Sequence, residues 1–126
     1  MYFVVNDSII PKFIALVKKE KIVGLLLRGK GEDVLKNIVK LVQSRNVNWK
    51  KMKGIIVISN SLSFTQNRII VTIINVIGNF FNIPRSLIKP KKEDKIDNLI
   101  KNGIKALKKK DILPFYHKKP NITKPK

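Results

Sequence analysis

The stretch "SNSLSFTQNRIIVTIINVIGNFF", residues 59–81, is central to the fold prediction because it contains one of the most apolar segments of the chain and could form either a strand or a helix. Its β-branched run "IIVTII" favours a strand on propensity alone. Polar residues nevertheless recur at intervals of four, three, four and three, which places them in one line along a helix: Arg68, Thr72, Asn75, Asn79 and Asn82. The other faces of this helix are apolar, so it is predicted to be covered on more than one side.

The residues before this stretch predict four strands and one helix. Residues 2–6 ("YFVVN"), 13–19 ("FIALVKK") and 21–29 ("KIVGLLLRG") are short apolar segments separated by polar turns, as in an antiparallel meander. Residues 54–59 ("GIIVIS") do not alternate, which predicts a strand buried on both faces. From Glu32 the apolar residues follow helical spacing, and the acidic pair Glu32-Asp33 suits the start of a helix.

The residues after Pro84 predict a link, a helix and a tail. "RSLIKPKKED" is a basic link with at most a very short strand, and a third helix is predicted from Asp94 to Lys110. The proline-containing tail that follows is predicted to be extended. The chain is therefore predicted to be an α/β protein with one mixed sheet, made of three antiparallel N-terminal strands plus a parallel strand, and with helices packed on it. It is divided into a lobe (1–88), a basic link (89–93) and a helix with its tail (94–126).

The composition fits one domain and excludes several kinds of site. A chain of 126 residues has room for little more than a single domain. It has no cysteine and only one histidine, which excludes disulfides, thiolate zinc sites and metal sites built on paired imidazoles. The N-terminus does not resemble a signal peptide, and the run from Ile69 to Phe81 is shorter than the ~20 residues of a membrane span. A cytoplasmic location without membrane attachment is therefore expected.

The formal net charge of +19 has two explanations that the sequence leaves open. Such a charge suggests nucleic acid or another anionic partner. However, the excess is nearly all lysine, and the chain is also rich in isoleucine and asparagine, the residues that AT-rich codons specify. Codon bias could supply much of this charge, and arginine is the residue that forked phosphate recognition favours.

Candidate catalytic groups do not form a catalytic set, and no cofactor or metal is predicted. "GLLLRGKG", residues 24–31, matches a Walker A pattern only until Gly31, where the motif needs serine or threonine. Ser63 or Thr65 could act with His117, but no acid is placed to orient this histidine. The loop before the apolar helix could hold an anion on helix amides, or Ser63 or Thr65 could cap the helix. No glycine lies between Ser59 and Arg68, which makes close approach of a phosphate difficult.

At this loop the sequence resembles the TsaB (YeaZ) family. "SLSFTQNRI" is similar to the family signature "GPGSFTGLRIG", with Ser63, Phe64, Thr65, Arg68 and Ile69 matching and the glycines and proline replaced. "MYFVVNDS" resembles the opening strand "ILAIDTS", with asparagine where aspartate is usual, and "DILPFYHKKPNITKPK" resembles the C-terminal "PLYLRKPDITKPK". Family members are longer and carry a second actin-like lobe after "NIP", where this chain has only a short link.

The resemblance implies an actin-like (ASKHA, ribonuclease H-like) lobe without catalysis of its own. TsaB is the partner of the catalytic subunit TsaD in bacterial synthesis of threonylcarbamoyladenosine in tRNA, and it pairs through its first two helices. The implied partners are a TsaD-like subunit or a second copy of this chain, with a TsaE-like ATPase as a further partner. Large exposed apolar patches usually mark interfaces, and the candidate residues are Leu35, Ile38, Val39, Val42, Ile69, Ile73, Val76, Ile77 and Phe80.

The alternative function is a basic module that binds RNA. In this hypothesis the lysines of the link and tail hold tRNA phosphates, and affinity falls steeply with salt. The candidate contacts are Lys89, Lys91, Lys92, Lys118 and Lys119. An ATPase is disfavoured because the phosphate-approach glycines and the aspartate of the first strand are absent.

Overall fold

A five-stranded mixed sheet forms the centre of the fold. The computed structural model describes residues 1–7, 13–18, 21–26, 32–45, 47–59, 64–91 and 94–113. The strands are β1 (Tyr2–Asn6), β2 (Phe13–Lys18), β3 (Lys21–Leu26), β4 (Gly54–Ile58) and β5 (Arg85–Ile88), in the order β3-β2-β1-β4-β5. The helices are α1 (Glu32–Arg45), α2 (Phe64–Phe81) and α3 (Ile96–Lys105), with a short 3-10 turn at Trp49–Lys51.

The pairing of the strands confirms the predicted meander and adds one parallel strand. β1 pairs antiparallel with β2, and β2 pairs antiparallel with β3. β4 runs parallel to β1 on its other side. β5 then runs parallel to β4, where the sequence predicted a link with at most a very short strand. Its ends are fixed by backbone bonds from Ile55 N–H to Pro84 O at 2.9 Å and from Ser59 N–H to Ile88 O at 3.1 Å.

The central strands divide their side chains between two cores because successive residues of a strand point to opposite faces. Phe3 of β1 and Ile55 and Val57 of β4 lie in the core under α1 and α2. Ile56 and Ile58 of β4 lie in the core under α3. β4 is therefore buried on both faces, as predicted, and the fold has three layers with two helices on one side of the sheet and one on the other.

The helix predictions are confirmed in kind, with two differences at the ends. α2 ends at Phe81, and Asn82, predicted as the last polar residue of its line, has a left-handed φ of 57°. Ile83 N–H donates to Gly78 O at 2.8 Å, which closes the helix in a Schellman-type end. α3 ends at Lys105 instead of Lys110 because Lys108 forms an antiparallel bridge with Arg85, which requires extended backbone.

The close approach of α3 to the sheet depends on Gly103. A Cβ at this position would collide with the side chain of Ile56. Ser86 of β5, which is buried, donates its hydroxyl to Gly103 O at 2.8 Å. The helix is thus packed directly against β4 and β5.

Candidate partner interface

Helix α1 has one side in the core and one side at the surface. Ile38 and Leu41 are 2% and 1% exposed and pack toward the sheet. Val39 is 45% exposed, and Val42 is half-buried. Because residues one apart on a helix point in different directions, burial of Ile38 turns Val39 to the surface. α1 also contacts α2 beside it on the same face of the sheet.

Helix α2 has a buried face, a polar line and a partly exposed apolar face between them. Ile70, Val71 and Ile74 are buried against the sheet. On the apolar face, Val76 is 63% exposed and Phe80 is 80% exposed. Their half-buried neighbours are Ile69, Ile73 and Ile77. We refer to the exposed and half-buried apolar residues of both helices as the apolar strip, which comprises Val39, Val42, Ile69, Ile73, Val76, Ile77 and Phe80.

A series of aromatic rings connects Phe80 to the core. Its ring meets that of Phe81 edge to face, with centroids 4.8 Å apart. Phe81 stacks on Trp49 at 6.0 Å, and Trp49 lies 5.2 Å from Phe3, which is fully buried. Offset and edge-to-face ring pairs are attractive beyond the area that they bury. Phe80 is therefore braced from beneath although most of its surface faces solvent.

The structure separates eight of the nine residues predicted for the partner interface into three groups. Val39, Val76 and Phe80 are exposed, and Val42, Ile69, Ile73 and Ile77 are half-buried. Ile38 lies in the core and contributes to the sheet side of α1, so it does not belong to the surface. Leu35 lies in α1, but its side chain is outside the described part of the chain.

The signature residues are placed only in part. α2 begins at Phe64, so Thr65 lies inside its first turn, while Ser63 falls outside the described residues, as do the side chains of Phe64 and Thr65. Arg68 is exposed on α2. The helix cap and the anion site predicted for this loop therefore fall on side chains outside the described part of the chain.

The polar line of α2 attaches the C-terminal segment, residues 107–113, which the sequence did not predict. Asn75 donates from Nδ2 to Ile112 O at 2.8 Å and accepts from Ile112 N–H at Oδ1 at 2.9 Å. Asn79 donates from Nδ2 to Asp111 Oδ1 at 2.8 Å. These side-chain amides take the place of backbone partners, and Ile112 is thereby held in the core under α1 and α2.

A buried arginine at the start of β5 completes this attachment. Arg85 is 2% exposed, and its Nη1 donates to Asn75 O at 3.1 Å and to Asn79 Oδ1 at 2.9 Å. The same nitrogen lies 3.8 Å from Asp111 Oδ1. A Cβ on Gly78 would lie 2.5 Å from Arg85 Cδ, so the glycine makes space for the guanidinium stem. The sequence signal that could have indicated this site is an arginine following a helix that carries Asn75 and Asn79 one turn apart.

Comparison with known proteins identifies the fold. No family model and no curated protein matches the sequence. Among solved structures, YeaZ from Pseudomonas aeruginosa superposes with a TM-score of 0.58 at 14% identity, covering 70% of this chain and 43% of that one. A structure of an uncharacterized protein with similarity to peptidase YEAZ from Pseudomonas aeruginosa superposes with a TM-score of 0.59 at 14% identity, covering 70% and 42%.

The chain has a YeaZ-like fold. The prediction of an actin-like (ASKHA) α/β lobe is thereby confirmed. The chain spans less than half the length of either YeaZ-like structure. At 14% identity, these superpositions show a shared fold alone.

In the YeaZ-like fold, two of the five lysines predicted to contact RNA are described, and they follow the edge strand β5. Lys89 and Lys91 are exposed just after this strand. Lys92, Lys118 and Lys119 lie outside the described residues. Within the described ranges, no helix combines the length and apolarity needed to cross a membrane.

Proposed function

We propose that this chain is a non-catalytic partner subunit of the machinery that makes threonylcarbamoyladenosine in tRNA. It pairs with a TsaD-type catalytic subunit, or with a second copy of itself, through the apolar strip. The observation that carries this proposal is the exposure of Phe80 and Val76, at 80% and 63%, on a helix that the sequence resemblance assigns to pairing.

The physical support comes from the contrast between the two sides of α2. An isolated exposed apolar residue is ordinary, but Phe80 and Val76 lie on neighbouring turns beside half-buried Ile73 and Ile77. Burying such side chains contributes about 25 cal/mol per Å² of apolar area. Aromatic anchors supported from beneath are also typical of the few residues that supply most of the binding energy in an interface.

Both the fold and the sequence resemblance support the choice of partner. The three-layer YeaZ-like lobe contains α1 and α2 in full, and the resemblance assigns pairing to the first two helices of TsaB. The signature loop has lost its glycines, which favours an assembly role over one in which backbone approaches a phosphate.

The test is to mix the purified chain with a TsaD-type subunit and measure complex formation by light scattering and calorimetry, with sedimentation of the chain alone to detect self-pairing. We expect a stable complex, and Phe80→Ser should weaken it by about 30-fold or more because an exposed aromatic anchor is lost. Ile22→Ser is the matched control because Ile22 is 46% exposed and pairs with Val17 of the core under α3, so its side chain is on the other face of the sheet from α1 and α2.

Two results would contradict the proposal. One is a chain that stays monomeric and does not bind the TsaD-type subunit; the other is an equal loss of affinity in Ile22→Ser. Tight binding of tRNA by the chain alone, weakened steeply by salt and by removing Lys89 and Lys91, would favour the RNA-binding alternative.

A further inference from the structure

A groove of about 840 Å³ lies between α3 and the strands β2 and β3. It is on the opposite side of the sheet from the apolar strip. It is also at the opposite end of β4 from the signature loop, because Lys53, which precedes β4, lies in its wall. Neither the proposed pairing nor the family signature accounts for this groove.

The floor of the groove is apolar and comes from both the sheet and the helix. Tyr2, Val17 and Ile22 contribute from three adjacent strands, and Ile100 and Ile104 contribute from one face of α3. Ile22 is 46% exposed although it is paired in the sheet next to Val17. An isoleucine left open in this position gives the groove an apolar surface for a ligand to cover.

The rim of the groove carries an excess of positive charge. Lys18, Lys53 and Lys101 line it, and Asp97 is the acid among the lining residues, so the four side chains sum to three minus one, or +2. The three lysines come from the end of β2, the approach to β4 and the helix α3, so the fold brings them together. Burial lowers the pKa of the Met1 amine, and the positive charges of Lys53 and Lys18 lower this pKa further.

We infer that this groove binds a small amphiphilic anion, a molecule with a phosphate or carboxylate group and an apolar portion. The lysines at the rim would hold the anionic group, and the isoleucines and Val17 would cover the apolar portion. The volume is within the range of about 300 to 1,000 Å³ that small-molecule sites occupy, and an apolar lining with few polar groups is their usual character. Asp97 would oppose binding of the anion.

The test uses octyl phosphate as the probe, with inorganic phosphate and octanol as comparison ligands and amide chemical shifts as the readout. Octyl phosphate should shift the amides of Val17, Ile22 and Ile104, and it should bind about tenfold more tightly than inorganic phosphate because only the former covers the floor. Octanol should bind more weakly than octyl phosphate because it lacks the charge that the lysines attract.

Charge variants distinguish a specific binding site from a general attraction of anions to a basic protein. Lys53→Gln with Lys101→Gln should raise the Kd for octyl phosphate about fivefold, and Asp97→Asn should lower it. Lys36→Gln with Lys40→Gln removes the same charge from α1, where both lysines are exposed, and should leave the Kd nearly unchanged. All four lysines are at the surface, so these variants are expected to fold.

Several outcomes would overturn the inference. Equal affinity for octyl phosphate and inorganic phosphate would do so, as would an equal effect of the Lys36 and Lys40 changes. Shifts confined to the apolar strip would show that the probe binds elsewhere. Vesicles of phosphatidylglycerol provide a further arm: binding to vesicles without binding to octyl phosphate would indicate a membrane surface as the partner in place of a single molecule.

Discussion

At the scale of single residues, Arg85 shows how one buried charge can organise the polar groups around it. Removing a guanidinium from water is costly unless its hydrogen bonds are restored. Here Nη1 is satisfied by Asn75 O and Asn79 Oδ1, with Asp111 close enough to balance the charge. Among the described residues, its buried Nε has no hydrogen-bond partner. The two hydrogen bonds of Nη1 therefore contribute to compensating the buried charge.

Asn75 offers a direct test at the residue scale because its side-chain amide bonds to both the N–H and the C=O of Ile112. Asn75→Ala should expose Ile112 N–H to exchange and lower the free energy of unfolding by about 1 to 3 kcal/mol, the cost of leaving buried groups unpaired. Hydrogen exchange at Ile112 and urea unfolding measure these effects.

The control for this prediction is Thr72→Ala, one turn earlier on the same polar line, where the side chain is exposed. That variant should leave exchange at Ile112 unchanged. Unaltered protection of Ile112 in Asn75→Ala would mean that the segment is held by its packing in the core alone.

At the scale of elements, each face of α2 has a different role. Ile70 and Ile74 build the core, Asn75 and Asn79 hold the C-terminal segment, and Phe80 stands at the surface. The helix has no charged residue in its last turn and ends through Asn82 in the left-handed region. Its stability therefore comes from contacts with the rest of the fold more than from charges along its own axis.

A substitution at Gly78 tests how closely α2 and β5 pack against each other. Alanine is favoured over glycine in a helix by about 1 kcal/mol, yet we expect Gly78→Ala to lower the free energy of unfolding by about 1 to 3 kcal/mol because its Cβ would overlap the Arg85 stem. Urea unfolding gives the sign directly.

A double-mutant cycle with Arg85→Ala shows whether the overlap is the cause. In the Arg85→Ala background the added methyl group meets no guanidinium stem, so the cost of Gly78→Ala should shrink or reverse. An equal cost in both backgrounds would assign the effect to the helix itself.

At the scale of the whole molecule, the sheet separates two surfaces of different character. The apolar strip lies over α1 and α2, and the lysine-rimmed groove lies on the α3 side. Because the two surfaces share no residue, pairing and anion binding can be tested independently. A negative result for one of the two proposals does not contradict the other.

The net charge of +19 predicts that salt stabilises this protein. Like charges repel more strongly in the compact state, and the screening length falls to about 10 Å at 0.1 M salt. Sodium chloride at about 0.3 M should therefore raise the urea midpoint.

A charge-reduced variant is the control for the salt effect. Four exposed lysines are changed to glutamate in this variant: Lys36, Lys40, Lys50 and Lys51. Each change lowers the net charge by two, so the net charge falls from +19 to +11. This variant should respond less to salt. A response equal to that of the original chain would show that salt acts through something other than charge repulsion.

Local periodicity predicted most of the elements and the α/β class, because it depends only on which residues recur along the chain. The spacing of polar residues from Arg68 to Asn79 predicted that α2 is a helix, against the strand propensity of its β-branched run. The unbroken apolar run of β4 predicted burial on both faces. The resemblance in the signature loop led to the YeaZ-like fold that the structures then confirmed.

Which side of each helix or strand is buried, and against which neighbour, follows from tertiary packing. Periodicity gives a helix an apolar stripe but does not say that Ile38 is in the core while Val39 is outside it. The hydrogen bonds of Asn75 with Ile112 and Arg85 connect different segments of the chain. The lysines around the groove likewise come from different segments. Such contacts depend on how strands and helices are stacked, and that arrangement arises from packing of the whole chain.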